Sequence, residues 1–336
     1  MNNNKTIIIA EAGVNHNGSL QNAYKLIDVA AKCKADYIKF QIVDASVISF
    51  NAKKAKYQID KNNKTESQFS MIKKLEMNWS KIHPLLIKRC KKKKIKFLTS
   101  IFDSSWIREI KKLRLDYIKI PSGEIDNYQL LKSVANLNKK ILLSTGASKI
   151  LEIKSSIDYL IKNGLKRKNL TIMHCNSAYP TPMSDVNLLA IKYLQDKLKL
   201  SVGFSDHSLG INAAIASVAL GVNVIEKHFT LSNSMSGPDH KISLNPKQLE
   251  EFVKSIRNTE KALGAYGKFV TSSERINRKI IRKSIYSNSK IKKGEIFTNK
   301  NIKLKRPGVG LSPKLFEKIL GLKSKKNYNY DQLIKV

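Results

Sequence analysis

An alternation restricts most strongly what this chain can fold into. Through residues 1–265, short runs rich in β-branched residues are followed by longer amphipathic stretches, the pattern of βα units around a parallel sheet. The runs cover residues 6–10, 37–41, 96–100, 117–120, 141–145, 171–175, 201–204 and 223–227. Between them, residues 20–34, 128–137, 150–163 and 211–220 carry apolar side chains at three-to-four spacing, as helices do when they cover a sheet. Eight such units match a closed (β/α)8 barrel better than an open doubly wound sheet, and no G-x-G-x-x-G follows the first run. Residues 44–79 are long for a βα connection and hold a helical pattern near 67–75, so they are expected to form a partial lid on the barrel mouth.

The pattern changes after Gly264. Residues 266–283 are polar and basic, with the character of a linker, and residues 284–336 carry turn signals at Lys292-Lys293-Gly294-Glu295 and Pro307-Gly308-Val309-Gly310. A β-rich module of that size is marginal alone and is expected to dock on something larger. Cys33, Cys90 and Cys175 are widely spaced, without a C-x-x-C pair, which argues against a disulfide framework or thiolate metal cluster and favours the cytoplasm. With no signal peptide and no run of 18 apolar residues, neither export nor membrane insertion is expected. The net charge of +36 raises the question of nucleic acid or anionic membrane. The lysines are spread along the chain, however, and the densest run, Lys91 to Lys94, falls where a solvated helix end is expected, so no specific nucleic-acid partner is inferred.

The polar residues point to chemistry by their position. Almost every strand candidate ends in groups a core rejects: Glu11, Lys39, Gln41, Ser100, Lys119, Ser122, Ser144, His174, Ser177, Ser205-Asp206-His207 and Glu226-Lys227-His228. In a barrel these ends converge on one mouth, where unpartnered charges cost several kcal/mol, so they imply a polar ligand or one another, as an internal salt-bridge layer. Lys39 and Lys119, with the hydroxyls of Ser100, Ser122, Ser144 and Ser205, make a cradle suited to a phosphate or carboxylate. His207 and His228 end neighbouring strands, where they suit a shared divalent cation such as Mn2+, with Mg2+ or Co2+ as substitutes; singly, each suits a hydrogen-bonded or proton-donating role. Of the others, His16 orients a loop, His174 hydrogen-bonds in the barrel layer, His83 starts a surface helix before Pro84, and His240 beside Asp239 is left open.

The segments EAGVNHNG from Glu11, Lys39-Phe40-Gln41, KIPSGE from Lys119, Leu143-Ser144-Thr145-Gly146, HCNSAYPTP from His174, GFSDH from Gly203, EKHFT from Glu226 and Ser236 to His240 resemble the sialic acid synthase family. The tail KRPGVGLSP from Lys305 resembles its C-terminal antifreeze-like (SAF, β-clip) domain, so the likeness spans the chain in order. It implies a domain-swapped homodimer that condenses phosphoenolpyruvate with N-acetylmannosamine to give N-acetylneuraminate. Legionaminate synthases share nearly all these motifs and use a 2,4-diacetamido-2,4,6-trideoxymannose instead. By the same matching, His207 and His228 hold the metal that polarises the sugar aldehyde. Lys39, Ser100, Lys119, Ser122, Ser144, Ser177 and Ser205 hold phosphoenolpyruvate, and Glu11 handles the proton of water or of a sugar hydroxyl. Gln41, Tyr179 and Asp239 contact the sugar, and Arg306 reaches its N-acetyl group from the partner's small domain. The chain departs from the family at Thr99-Ser100-Ile101-Phe102, where Ser-Thr-Pro-Phe is common, and at Ser177, where some members have asparagine. A remote alternative is a barrel without activity whose basic surface binds nucleic acid.

Overall fold

The computed structural model describes residues 5–59 and 66–335, so residues 60–65 of the expected lid lie outside the described residues. It divides into two compact units, Met1–Gly264 and Ala265–Val336. In the first, β1 (Ile7–Gly13), β2 (Tyr37–Gln41), β3 (Lys96–Ser100), β4 (Tyr117–Ile120), β5 (Lys140–Ser144), β6 (Leu170–His174), β7 (Ser201–Asp206) and β8 (Val224–His228) form a closed barrel in sequence order. Parallel pairing of β8 with β1 completes it. The expected runs fall on these strands, but β1 and β7 continue past their apolar stretches. Glu11 still pairs in register with Lys39 and with His228, and Asp206 with Lys227, so the ladder outlasts the hydrophobic pattern that signals it.

Strand alternation sorts the side chains into two layers. Outward residues such as Ile8, Ile38, Phe40, Ile118, Ile120, Leu143, Ile172, Phe204 and Ile225 meet the apolar stripes of the covering helices, among them Leu26, Ile27 and Ala30 of Leu20–Lys32, and Ile153, Ile157 and Leu160 of Ile150–Lys162. Inward, Ile9, Tyr37, Leu98, Leu142, Met173 and Val224 plug the barrel, and the next inward layer towards the C-terminal ends is polar. The closing helix Pro246–Leu263 starts with an Asn245–Gln248 capping box, and its Arg257 donates to the Asp36 carboxylate and to the Thr6 carbonyl, tying the end of the barrel unit to its start.

Two histidines differ from expectation. His83 does not start a surface helix: it is buried inside the helix Trp79–Lys93, between Trp79 and Phe97, because the helix begins four residues earlier on the cap Asn78. His174 faces outward with Ile172 rather than into the barrel, stacks on Phe204 and bonds to the Val186 carbonyl. Lys91 to Lys93 do form a helix end, closed by Lys94 in the left-handed region.

The second unit contains an antiparallel pair, β9 (Ser284–Ser287) and β10 (Ile302–Lys305), around a small core of Ile285, Ile291, Phe297, Ile302, Ile319, Tyr328 and Ile334. The stretch expected as a linker carries a helix, Ser272–Ile281, opened by a Thr271–Glu274 capping box. Among the described residues no helix is long and apolar enough to cross a membrane, and the three cysteines are free and buried.

Candidate active site

The polar layer at the C-terminal strand ends is a network of four buried charged side chains. Lys39 Nζ lies 3.1 Å from Glu11 Oε1 and 3.5 Å from Glu226 Oε2, and donates to Ser100 Oγ at 2.7 Å. Lys119 Nζ donates to Glu226 Oε1 at 2.8 Å, which also accepts from Ser205 Oγ at 2.9 Å. Gln41 Nε2 donates to Glu11 Oε1 at 2.9 Å, while Glu11 Oε2 is buried without a partner. The lysines expected to cradle an anion are thus members of an internal salt-bridge layer, in which they hold carboxylates while lining the mouth. Residue types at strand ends do not reveal this pairing, and Glu226, its hub, is the member that reading for cations and hydroxyls passes over.

The two carboxyls are driven apart. Burial pushes Glu11 up to about 7, against the pull of Lys39 and with the push of Glu226. Burial acts on Glu226 too, but there the ammonium groups of Lys119 and Lys39 outweigh it and hold the group well below the usual carboxylate range. Lys39, despite its burial, is kept charged by Glu11 and Glu226. With Glu11 protonated the four groups carry a net positive charge, and with it ionised they carry none. Two carboxyls with divergent ionisation mark one as the group that exchanges a proton near neutrality.

A bulge gives Glu11 its neighbours. Register shifts between Glu11 and Gly13, and Gly13 takes a φ of +50°. A Cβ there would lie 3.4 Å from Glu11 Oε1 and His228 Cε1 and 3.5 Å from Asp239 Oδ2, so this left-handed glycine lets three site groups close on the backbone. Burial raises Asp239 to about 6 and pushes His228 well below its ordinary value. Their 4.0 Å approach is therefore a contact between a neutral imidazole and a carboxyl, not an ion pair.

His207 and His228 face each other with ring centroids 5.7 Å apart. His207 Nδ1 bonds to the Asn176 carbonyl at 2.6 Å, which fixes the proton on Nδ1 and leaves the Nε2 lone pair to the mouth, where Tyr179 OH lies at 3.0 Å and Ser205 Oγ at 3.2 Å. Burial pushes His207 down to about 4, and His228 Nδ1 is buried without a partner. Two neutral imidazoles, one with its tautomer set by a carbonyl and the other with an orphaned nitrogen, fit a divalent cation. Among the described residues no three His, Cys, Asp or Glu side chains gather on one point, so water and substrate would complete the coordination.

Ser100, Ser122, Ser144 and Ser205 all line the mouth with Lys119 and His207. Ser122 Oγ accepts from the Gly146 N–H at 2.9 Å, and a Cβ on Gly146 would come within 2.5 Å of Ser177 Oγ and 2.9 Å of Ser122 Oγ. The missing Cβ of Gly146 thus lets the two serine hydroxyls close on its backbone. Tyr179 stacks on His207 at 4.1 Å, and Tyr57, from the stretch expected as a lid, stacks on Tyr179 at 4.8 Å. Tyr179 also lines the cavity of about 60 Å3 shared by Glu11, Lys39, Lys119, Glu226 and the two histidines. His16 orients its loop as expected, its Nδ1 accepting from the Gly18 N–H, while His240 has a structural place between Thr230 and Asn17. Arg306 is exposed on the second unit, just after β10. A larger cavity of about 930 Å3 opens at the opposite end of the barrel among Lys5, Asp36, Lys96, Asp116 and Lys140. Barrel enzymes carry their chemistry at the C-terminal strand ends, where the converging acid, imidazole and hydroxyl groups lie here.

Comparison with known proteins identifies the family. Residues 26–268 match the model of the NeuB family. Over 98% of its length the chain is 49% identical to 99% of the N,N'-diacetyllegionaminic acid synthase of Campylobacter jejuni, and over 94% it is 38% identical to 89% of the enzyme of that name from Legionella pneumophila. Among solved structures, the N-acetylneuraminic acid synthetase of Leptospira borgpetersenii, in complex with citrate, superposes with a TM-score of 0.71 at 33% identity over 82% of this chain and 90% of that one. On the match of its barrel and on these full-length relatives, the chain belongs to the NeuB family of sialic-acid-type synthases.

Proposed function

We propose that this protein condenses phosphoenolpyruvate with open-chain 2,4-diacetamido-2,4,6-trideoxymannose and water to give N,N'-diacetyllegionaminate and phosphate. The observation that carries the choice of sugar is the 49% identity to a legionaminic acid synthase across nearly the whole of both chains, repeated at 38% in a second organism. This reverses the order of the two sugars: N-acetylmannosamine, the first expectation, has support only at the level of the family, and the legionaminate precursor has more.

In this reading the phosphoenolpyruvate anion lies against Lys39, Lys119 and the serine hydroxyls, including Ser122 and Ser177 beside Gly146, with C3 turned to the sugar aldehyde. Gln41, Tyr179 and Asp239 line the sugar's side, and Arg306 reaches it from the second subunit of a domain-swapped dimer. His207 and His228 would hold a divalent ion, Mn2+ first, which when bound supplies Lewis acidity to the aldehyde oxygen. The C3 electron pair attacks the aldehyde carbon, a C–C bond forms as the carbonyl π pair moves onto oxygen to give an alkoxide, and positive charge develops at C2. Ionised Glu226, fixed by Lys119 and Ser205, stays a counter-charge throughout. Water adds to C2 as ionised Glu11 takes one of its protons at Oε2 and returns it to the alkoxide, and the tetrahedral adduct then collapses to the ketone by C–O cleavage, its C2 hydroxyl proton leaving with the phosphate. Positioning and charge complementarity supply most of the acceleration.

The test is phosphate release from phosphoenolpyruvate with each sugar in turn, before and after EDTA and after re-addition of Mn2+. The expected result is a kcat/KM at least tenfold higher for the diacetamido sugar and recovery of activity with Mn2+. Equal or better turnover of N-acetylmannosamine overturns the sugar assignment, and full activity in EDTA overturns the metal.

A further inference from the structure

A buried ion pair sits on the outer face of the same strand ends, where the chemistry does not reach. Lys227 Nζ lies 2.9 Å from Asp206 Oδ2, with side chains 1% and 0% exposed. Alternation places both residues outside the barrel, since Ser205, Glu226 and His228 point into the mouth. Asp206 and Lys227 are also the last registered pair between β7 and β8. Each immediately precedes one of the two facing histidines, Asp206 before His207 and Lys227 before His228. Asp206 Oδ1 further accepts from the Ser208 backbone N–H at 2.9 Å and from Ser208 Oγ at 2.6 Å, while Lys227 Nζ donates to the Ser208 carbonyl. His207 is thus bracketed on both sides by groups bound to this pair.

Burying two ions costs more than an apolar pair of equal volume, so the arrangement is a poor device for stability alone. It is a good device for geometry. An ion pair spanning adjacent strand ends fixes their separation and the turn that leaves β7, and the ring-to-ring distance inside follows from both. We infer that Asp206 and Lys227, with Ser208, are positioning residues that set the spacing of His207 and His228 for a divalent cation. The inference rests on the reading that those histidines bind such an ion.

The experiment measures Mn2+ binding to the full chain by the loss of the free-ion electron paramagnetic resonance signal, alongside thermal unfolding. Wild type, His228→Ala, Ser208→Ala and the apolar pair Asp206→Leu/Lys227→Met are compared. In the apolar pair the Mn2+ Kd is expected to rise tenfold to a hundredfold, the range seen when groups supporting metal ligands are lost, while Tm stays at or above that of wild type. A merely structural pair would move Tm and leave Kd alone. Ser208→Ala, which keeps the ion pair and removes one bond to it, is expected to raise Kd about threefold or more, and it carries the test if the apolar pair does not fold. A Kd within twofold of wild type in every folded variant overturns the inference. Wild type that binds no Mn2+, or binds it no better than His228→Ala, overturns instead the metal reading beneath it.

Discussion

Replacing Glu11 by glutamine separates the proton-exchanging role of this side chain from its packing. The amide oxygen can still accept from Lys39 and Gln41, and the substituted position is Oε2, which has no partner. Since Glu11 ionises near 7 in the folded protein, the wild-type kcat/KM should rise with pH, tenfold per unit, up to about 7 and then level, leaving it about a hundredfold lower at pH 5. The variant should lose that limb and fall by about 10²–10⁴ at pH 8, the usual worth of a general base, or about 3–5 kcal/mol of barrel-bound transition-state stabilisation. The same ionisation has a signature in stability. The folded value lies above the unfolded one near 4.5, so this contribution is fully present below pH 4.5 and is lost as pH rises through about 7. From pH 5 to pH 8 the loss is about 2–3 kcal/mol. Glutamine does not ionise, so the variant should gain that much on wild type over the same interval, read by urea unfolding at both pH values. A pH limb near 7 that survives in the variant, or parallel stability curves, would refute the assignment. Asp239, raised to about 6, is then the next group to replace.

Other consequences follow from particular contacts. Lys119→Met strands Glu226 beside a Lys39 at 3.5 Å and should cost about 3–5 kcal/mol in urea unfolding at pH 7; a loss under about 1 kcal/mol would mean that the buried pair is water-filled. Gly146→Ala puts a Cβ within 2.5 Å of Ser177 Oγ and 2.9 Å of Ser122 Oγ and must displace these hydroxyls, so the KM for phosphoenolpyruvate should rise about tenfold, worth roughly 1.4 kcal/mol, with the sugar's KM unchanged. A shift in the sugar's KM alone would move these serines to the other substrate. Arg306→Ala should raise the KM of the sugar more than that of phosphoenolpyruvate in steady-state kinetics, and an unchanged sugar KM removes the cross-subunit contact.

Much of the barrel was legible because each strand carries its own local signal. Lys96–Ser100 and Tyr117–Ile120 have the bounds that their apolar runs give, and the inward direction of Lys39, Lys119 and His228 follows from period-two alternation once the strands are placed. What stayed hidden depends on partners distant in the chain. Glu226 meets Lys119 across 107 residues, and no spacing rule announces that meeting. His83 precedes Pro84, which suggests a helix start, but Asn78 caps the helix first and proline sits within its second turn. His174 ends a strand as the site residues do, but it has the opposite parity from Met173, which points inward. The pairing of Asp206 with Lys227 was equally invisible, although both residues stood in motifs read for the histidines beside them.

The electrostatics of the mouth tie substrate binding to proton movement. Glu226 stays ionised because two ammonium groups face it, while Glu11 shares only Lys39 as an ion-pair partner. An anion entering beside Lys39 competes for the ammonium that lowers the Glu11 value and adds a negative charge of its own, and both effects favour the proton on Glu11. On the proposed reading, phosphoenolpyruvate should therefore bind best to the form with net positive charge, and its arrival should push the ionisation of Glu11 to higher pH. The limb in kcat, which reports the substrate complex, must then lie above the limb in kcat/KM, which reports the free enzyme. If the two limbs coincide, the anion does not sit near Lys39, and the phosphoenolpyruvate site belongs elsewhere in the mouth.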